Sequence, residues 1–231
     1  MILCIPSGRL LIADPCYLNA DQVAHVAAGV PTDADIHEIR VPNTAIVESE
    51  EKHGRISRIS LIFAQNGVDM PEVIAEVGVD TAQLMFADAA HVAREWVEEE
   101  YQDIRIYRHA DGRTLQYRKD FPHYEVPIAS EGGKTMNELN ASGEWEQVKV
   151  DYGPYKVSYN GLCHCHDDEG IAMIGERVLV TETGGSDGCY ELTRTMAKDG
   201  RIASLSMTFI GKDEEEDWDE EDWDEDEGGE E

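Results

Sequence analysis

The chain has 231 residues, with 19 Lys and Arg against 49 Asp and Glu, a formal charge of −30 and a hydrophobic share of 41%. That length and apolar content support a core in one large or two small domains. The charge argues against direct nucleic-acid or membrane-surface binding, because phosphate is held by Lys and Arg. Fifteen of the acids fall in residues 213–231, and the other 34 against the same 19 bases leave the body at −15. The acidity therefore belongs to both parts, and it has three readings: solvation, adaptation to a salty cytoplasm, or mimicry of a polyanion that occupies a basic partner. No apolar run reaches 18 residues and the opening residues lack the basic region of a secretory signal, so the expectation is a cytoplasmic chain. Five cysteines are too few and odd in number for a disulfide scaffold.

In chain order, residues 8–18 read as a short apolar strand stopped by Asp14-Pro15, since proline cannot donate to a ladder. Asn19 is placed to cap a helix over 20–28 that Gly29 and Pro31 end. Residues 36–48 and 55–63 form the arms of a hairpin around Glu51-Lys52-His53-Gly54, with Pro42 marking an edge or a bulge. Residues 77–88 read as one further strand, and Asp88 caps a helix over 89–101 with Val92, Trp96 and Val97 on one face. Residues 104–109 and 113–119 pair across an Asp111-Gly112 turn. The Gly, Ser, Asn and Glu-rich residues 129–147 are expected to be a long loop, followed by strands near 155–159 and 177–181. The last hairpin joins 189–196 to 202–210, where Leu205, Met207 and Phe209 alternate with Ser204, Ser206 and Thr208. The expected fold is α+β and β-rich: antiparallel hairpins in one or two packed sheets with two short helices over 1–211, then a disordered acidic tail, 212–231.

Asp14, Asp80, Asp88 and Asp187 each sit at an expected strand end or turn. If those ends converge, the four carboxylates bind a divalent metal such as Mg²⁺ or Ca²⁺, or share a proton, with Asp187 as base or ligand. If they do not, each is separate turn or cap chemistry. Cys163, His164, Cys165 and His166 are the densest run of metal-ligand types. On a strand the cysteines face one side and the histidines the other, and Cys-x-Cys is not the usual zinc spacing, so the run is a weak metal candidate. Tyr152, Tyr155 and Tyr159 read as sheet residues, lacking the basic neighbours that base stacking needs. In the tail, Trp218 and Trp223, set among Asp217 and Asp222, are the residues expected to anchor a partner.

Gly8-Arg9-Leu10-Leu11-Ile12-Ala13-Asp14-Pro15, Gly78-Val79-Asp80-Thr81-Ala82-Gln83 with Phe86-Ala87-Asp88, and Ser186-Asp187-Gly188-Cys189-Tyr190 occur in that order. Together with Asp199-Gly200-Arg201-Ile202 they resemble an uncharacterised bacterial and phage domain family with Asp-Pro, Val-Asp-Thr-Gly and Gly-Asp-Gly-x-Tyr segments. The resemblance spans residues 8–210 and departs at Ala82 and Ser186, where the family carries glycine. It implies one continuous β-rich domain in which the four aspartates correspond as a set, and it implies no activity.

The leading expectation is a non-enzymatic, acidic binding protein of phage or bacterial origin, needing no cofactor. It would engage a basic protein surface through its acidic surface and Trp-bearing tail. The alternatives are a small metal-dependent or acid/base hydrolase built on the aspartates, and an accessory protein whose charge serves solubility alone.

Overall fold

In a computed structural model of the chain, the described residues are 1–30, 32–64, 70–148, 150, 153–165, 170–184 and 186–211. They divide into two compact units, Met1–Glu98 together with Lys156–Glu231, and Glu99–Tyr155. The tail at 212–231, expected to be disordered, lies outside the described residues, as do the partner-binding candidates Trp218, Trp223, Asp217 and Asp222.

The first unit contains β1 (Ile2–Cys4), β2 (Arg9–Ala13), α1 (Ala20–Ala28), β3 (His37–Arg40), β4 (Thr44–Lys52), β5 (Arg55–Ile62), β6 (Glu72–Val79), β7 (Gln83–Asp88) and α2 (Ala89–Glu95). The second holds β8 (Ile106–His109), β9 (Thr114–Gln116), α3 (Met136–Ala141) and β10 (Trp145–Val148). The chain then returns to the first with α4 (Tyr159–His164), β11 (Ile171–Ile174), β12 (Val178–Glu182), β13 (Gly188–Met196) and β14 (Ile202–Thr208).

Two antiparallel sheets make the first unit, in the orders β1-β4-β5-β14-β13-β6 and β11-β12-β7-β2-β3. Period-two alternation explains how they stack. Leu10 and Ile12 of β2, Leu84 and Phe86 of β7 and Leu179 of β12 face the six-stranded sheet, meeting Leu61, Val77, Leu192 and Met207. Their neighbours Leu11, Ala13, Met85, Ala87, Val178 and Val180 face the other way, against Val23 and Val26 of α1, Val92 of α2 and Leu162 of α4. The five-stranded sheet is thus buried on both faces, which is why β2 reads as an unbroken apolar run.

The second unit is a three-stranded sheet, β10-β8-β9, with α3. Tyr107, Phe121, Met136, Leu139 and Trp145 form its core.

The β-rich α+β class is as the sequence reading expects, as are the helix over 20–28 with its Asn19 cap and the last hairpin. Five local readings are corrected. At Pro42 the single arm expected over 36–48 breaks into β3 and β4, which belong to different sheets. Residues 77–88 likewise divide at a turn, β6 and β7 lying in different sheets. The helix expected over 89–101 ends at Glu95, where Trp96 turns extended (φ −58°, ψ 131°). Continuing it would bring Glu98, Glu99 and Glu100 to the negative end of the helix dipole. The expected loop at 129–147 contains α3, whose Thr135 and Glu138 form a reciprocal capping box, and β10. The strand expected near 155–159 is absent from the described residues: Tyr155 lies outside regular structure and Tyr159 opens α4, capped by the Ser158 hydroxyl on the Gly161 amide.

Burial predicts where substitution hurts. Replacing Phe86, 1% exposed, by alanine is expected to cost about 3–5 kcal/mol in urea unfolding, whereas Ile46→Ala, at a residue 47% exposed, stays within about 0.5 kcal/mol. Equal costs would contradict the layer assignment.

Candidate functional site

The chain passes between the two sheets of the first unit at residues 80–82, between β6 and β7, and again at 183–187, between β12 and β13. These two crossings, of the several the chain makes, meet at one corner, and Asp14 and Asp187 belong to it.

Asp14 follows β2 and begins a 3-10 turn over Pro15–Tyr17. Its carboxylate is fully buried. Oδ1 accepts from the Cys16 amide and the Thr81 hydroxyl, each at 2.8 Å, and Oδ2 accepts from the Asp80 and Thr81 amides, each at 2.8 Å. Four donors occupy the four lone-pair positions that a carboxylate offers. The Asp80 side chain leaves that set and is directed at the Tyr17 phenol. Burial first, then the Asp80 carboxylate, with Asp35 adding, raise the Tyr17 phenol above its ordinary range.

Asp187 holds the same turn from the other side. Its Oδ1 accepts from the Ala82 amide at 2.9 Å, while the Ala82 carbonyl accepts from the Thr183 amide at 3.0 Å. Ala82 adopts φ +52°, a left-handed conformation that favours glycine, which gives the departure at this position a physical cost. The 183–187 connection is itself laced: the Tyr190 hydroxyl donates to the Ser186 carbonyl at 2.9 Å, and the Thr183 hydroxyl donates to the same carbonyl at 2.8 Å. Gly184 belongs here by necessity, since its φ is +68° and a Cβ would come within 2.8 Å of Ile210.

Asp88 is elsewhere. It pairs with Leu10 at the start of β2, while Ala13, next to Asp14, pairs with Met85. The strand rise puts Asp88 about 13 Å along the sheet from Asp14. Its Oδ1 accepts from the His91 amide as the cap of α2, and its Oδ2 accepts from the Ser7 amide, each at 2.8 Å. The four-aspartate convergence is therefore corrected: Asp14, Asp80 and Asp187 share a corner, Asp88 does not, and Asp14, Asp88 and Asp187 bind backbone donors.

The Cys-His run is not a strand. Cys163 and His164 close α4, Cys165 caps it, and His166 lies outside the described residues. The alternation that separated cysteines from histidines does not apply there. Among the described residues no group of three or more His, Cys, Asp or Glu side chains is arranged to hold a metal. Burial pushes the Cys163 and Cys165 thiols up to about 12, Asp14 adding its charge at Cys163. Cys16 is raised further by burial, then by the adjacent Asp14 carboxylate. Such thiols stay protonated at neutral pH and are not activated nucleophiles.

Sequence reasoning picked out the aspartates as turn residues but missed Thr81, Ala82 and Thr183, which complete the corner. The Val-Asp-Thr string carried the signal, because Asp-Thr between two apolar runs is turn chemistry.

Asp14→Asn is expected to lower unfolding free energy by at least about 3 kcal/mol, because an amide nitrogen would face several buried N–H donors. Ala82→Gly is expected to raise it by about 0.5–1 kcal/mol. Urea titration of both variants checks this, and a neutral Asp14→Asn would contradict the corner's role. The thiols add a pH dependence. The unfolded chain releases their protons near the ordinary value of 9.0, while the folded chain holds those of Cys163 and Cys165 to about 12. Their stabilisation is complete below about pH 9 and is lost as pH rises toward 12. Urea midpoints that stay flat from about pH 8 to about pH 11 would refute it.

No family model, curated protein or solved structure matches the chain.

Proposed function

We propose that the chain is an acidic, non-enzymatic binding protein that engages a basic protein surface. The observation that carries this reading is the charge: −30 overall, with 34 acids against 19 bases even when residues 213–231 are set aside. A field of that sign repels phosphate and attracts Lys- and Arg-rich surfaces, speeding encounter and selecting against anionic partners. The tail supports it, because Trp218 and Trp223 give an acidic segment two large apolar anchors that solvation does not require.

The corner geometry weighs against a hydrolase that uses Asp14 or Asp88. A general base or metal ligand needs a lone pair facing substrate or metal, and Asp14 has its lone pairs occupied by four donors. Asp88 is bonded to two amides at the far end of β7.

Immobilised full chain and a chain ending at Gly211, offered a bacterial lysate at low and moderate salt, test the reading by mass spectrometry of what is retained. The expected result is basic proteins held by the full chain, released by salt and depleted when residues 212–231 are removed. Capture that ignores both salt and the tail would overturn it.

A further inference from the structure

The inner face of the six-stranded sheet is filled by the core, but its outer face carries an unexplained pattern. Register sets Ile2, Ile46 and Ile62 side by side across β1, β4 and β5. Ile2 is 59% and Ile46 47% exposed, a row of branched apolar side chains turned outward. Beside it runs a flat hydroxyl strip in which Ser60 bonds Ser206 at 2.9 Å and Thr195 bonds Ser204 at 2.7 Å.

Glutamates flank this strip on both sides. Glu48 and Glu50 project from β4, and on the far side Glu191 of β13 stands directly opposite Glu76 of β6. Like charges placed directly across a ladder destabilise it, so this pair is held at a cost that a cation would relieve. Among the described residues, the side chains of Glu48, Glu76 and Glu191 have no ion-pair or hydrogen-bond partner, while the bases of β4 and β5 are engaged: Arg58 lies 3.7 Å from Glu50, Lys52 donates to the Gly211 carbonyl at 3.1 Å and Arg55 to the Gly184 carbonyl at 3.3 Å. A depression of about 340 Å³ opens beside Glu191, lined also by Thr193, Thr208 and Gly211. Gly211 joins the body to the C-terminal acidic run, so the densest charge in the sequence is attached at this face.

We infer that this face docks a cationic amphipathic protein segment. Aliphatic side chains cover the isoleucine row, Lys or Arg side chains meet the flanking glutamates, and one of them enters the depression beside Glu191. The apolar row supplies burial and the glutamates supply sign and register, a division typical of selective interfaces. Charge complementarity names the occupant: three glutamates with unpaired side chains, beside bases that already have partners, disfavour an acidic or phosphate-bearing ligand. The inference rests on the reading of a basic protein partner and gives it a location on the body.

The test uses the full chain and a fluorescein-labelled peptide of about 15 residues with leucine on one helical face and lysine on the other. Oligolysine of equal length serves as the second probe. Anisotropy is measured with wild type, with a face variant (Ile46→Ser, Glu76→Gln, Glu191→Gln) and with a tail variant (Trp218→Ala, Trp223→Ala). The expected result is that the face variant weakens the leucine-lysine peptide at least about tenfold, and weakens oligolysine less, while the tail variant changes the peptide less than about threefold. If only the tail variant weakens binding, the face is overturned and the basic-partner reading stands. If wild type binds neither probe at low salt, both fall. Amide chemical-shift mapping on wild type requires no variant: shifts centred on Ile46, Ser60, Thr193 and Glu191 are expected, and shifts confined to other surfaces would overturn the inference.

Discussion

The buried carboxylate of Asp14 is the contact on which the first unit depends. Two sheets can share a core only if the chain crosses between them, and each crossing exposes amides that no ladder satisfies. Asp14 takes two amides and the hydroxyl of the 80–81 turn together with the amide of its own 3-10 turn. Asp187 and the Thr183 amide then bind the second crossing to the first through Ala82. A buried, charge-assisted set of this kind is strong when complete and costly when one member is missing. The same saturation that makes Asp14 structural removes it from chemistry.

The rest of the charge follows a different rule. Where arginines occur they are mostly matched: Arg9 with Glu38, Arg105 with Asp103, Arg113 with Asp111 and Glu131, Arg194 with Glu72 and Arg201 with Asp199. In the second unit Arg105 also stacks over Tyr117 at 4.4 Å and Arg113 over Trp145 at 5.6 Å, so these cations are engaged locally. Exposed pairs add little stability, but they cancel charge locally. The uncancelled remainder is acidic, and part of it is arranged on the open face of the six-stranded sheet. Binding through that remainder is consistent with a body held together by carboxylates that take no part in it.

Much of the fold was legible where a single rule decides the outcome. The alternation of Leu205, Met207 and Phe209 with Ser204, Ser206 and Thr208 allows one pairing, and Asn19 with Gly29 bounds one helix. Legibility failed where two elements share one pattern. Residues 77–88 are apolar on both sides of Asp80-Thr81-Ala82, and without a glycine at Ala82 the turn hides inside an apparent strand. Tyr159–His164 is too short to show helical periodicity, and its start rests on the Ser158 cap. For the aspartates, residue type announced turns correctly. Which turns meet is a tertiary fact, fixed by how β2 and β7 pair, and that pairing set Asp88 at the far end.

The central claim is that the buried carboxylate of Asp14 is a structural tie and not a free base or ligand. Native-state hydrogen exchange at the Thr81 and Ala82 amides, which donate to Asp14 and Asp187, tests it most directly. If the tie holds the two sheets together, the Thr81 amide exchanges only through global unfolding, as slowly as the amides of β2 and β7, and the Ala82 amide is protected well beyond a loop. Rapid exchange at Thr81 by local opening would mean that Asp14 is released from the turn in the folded state, and would contradict the account.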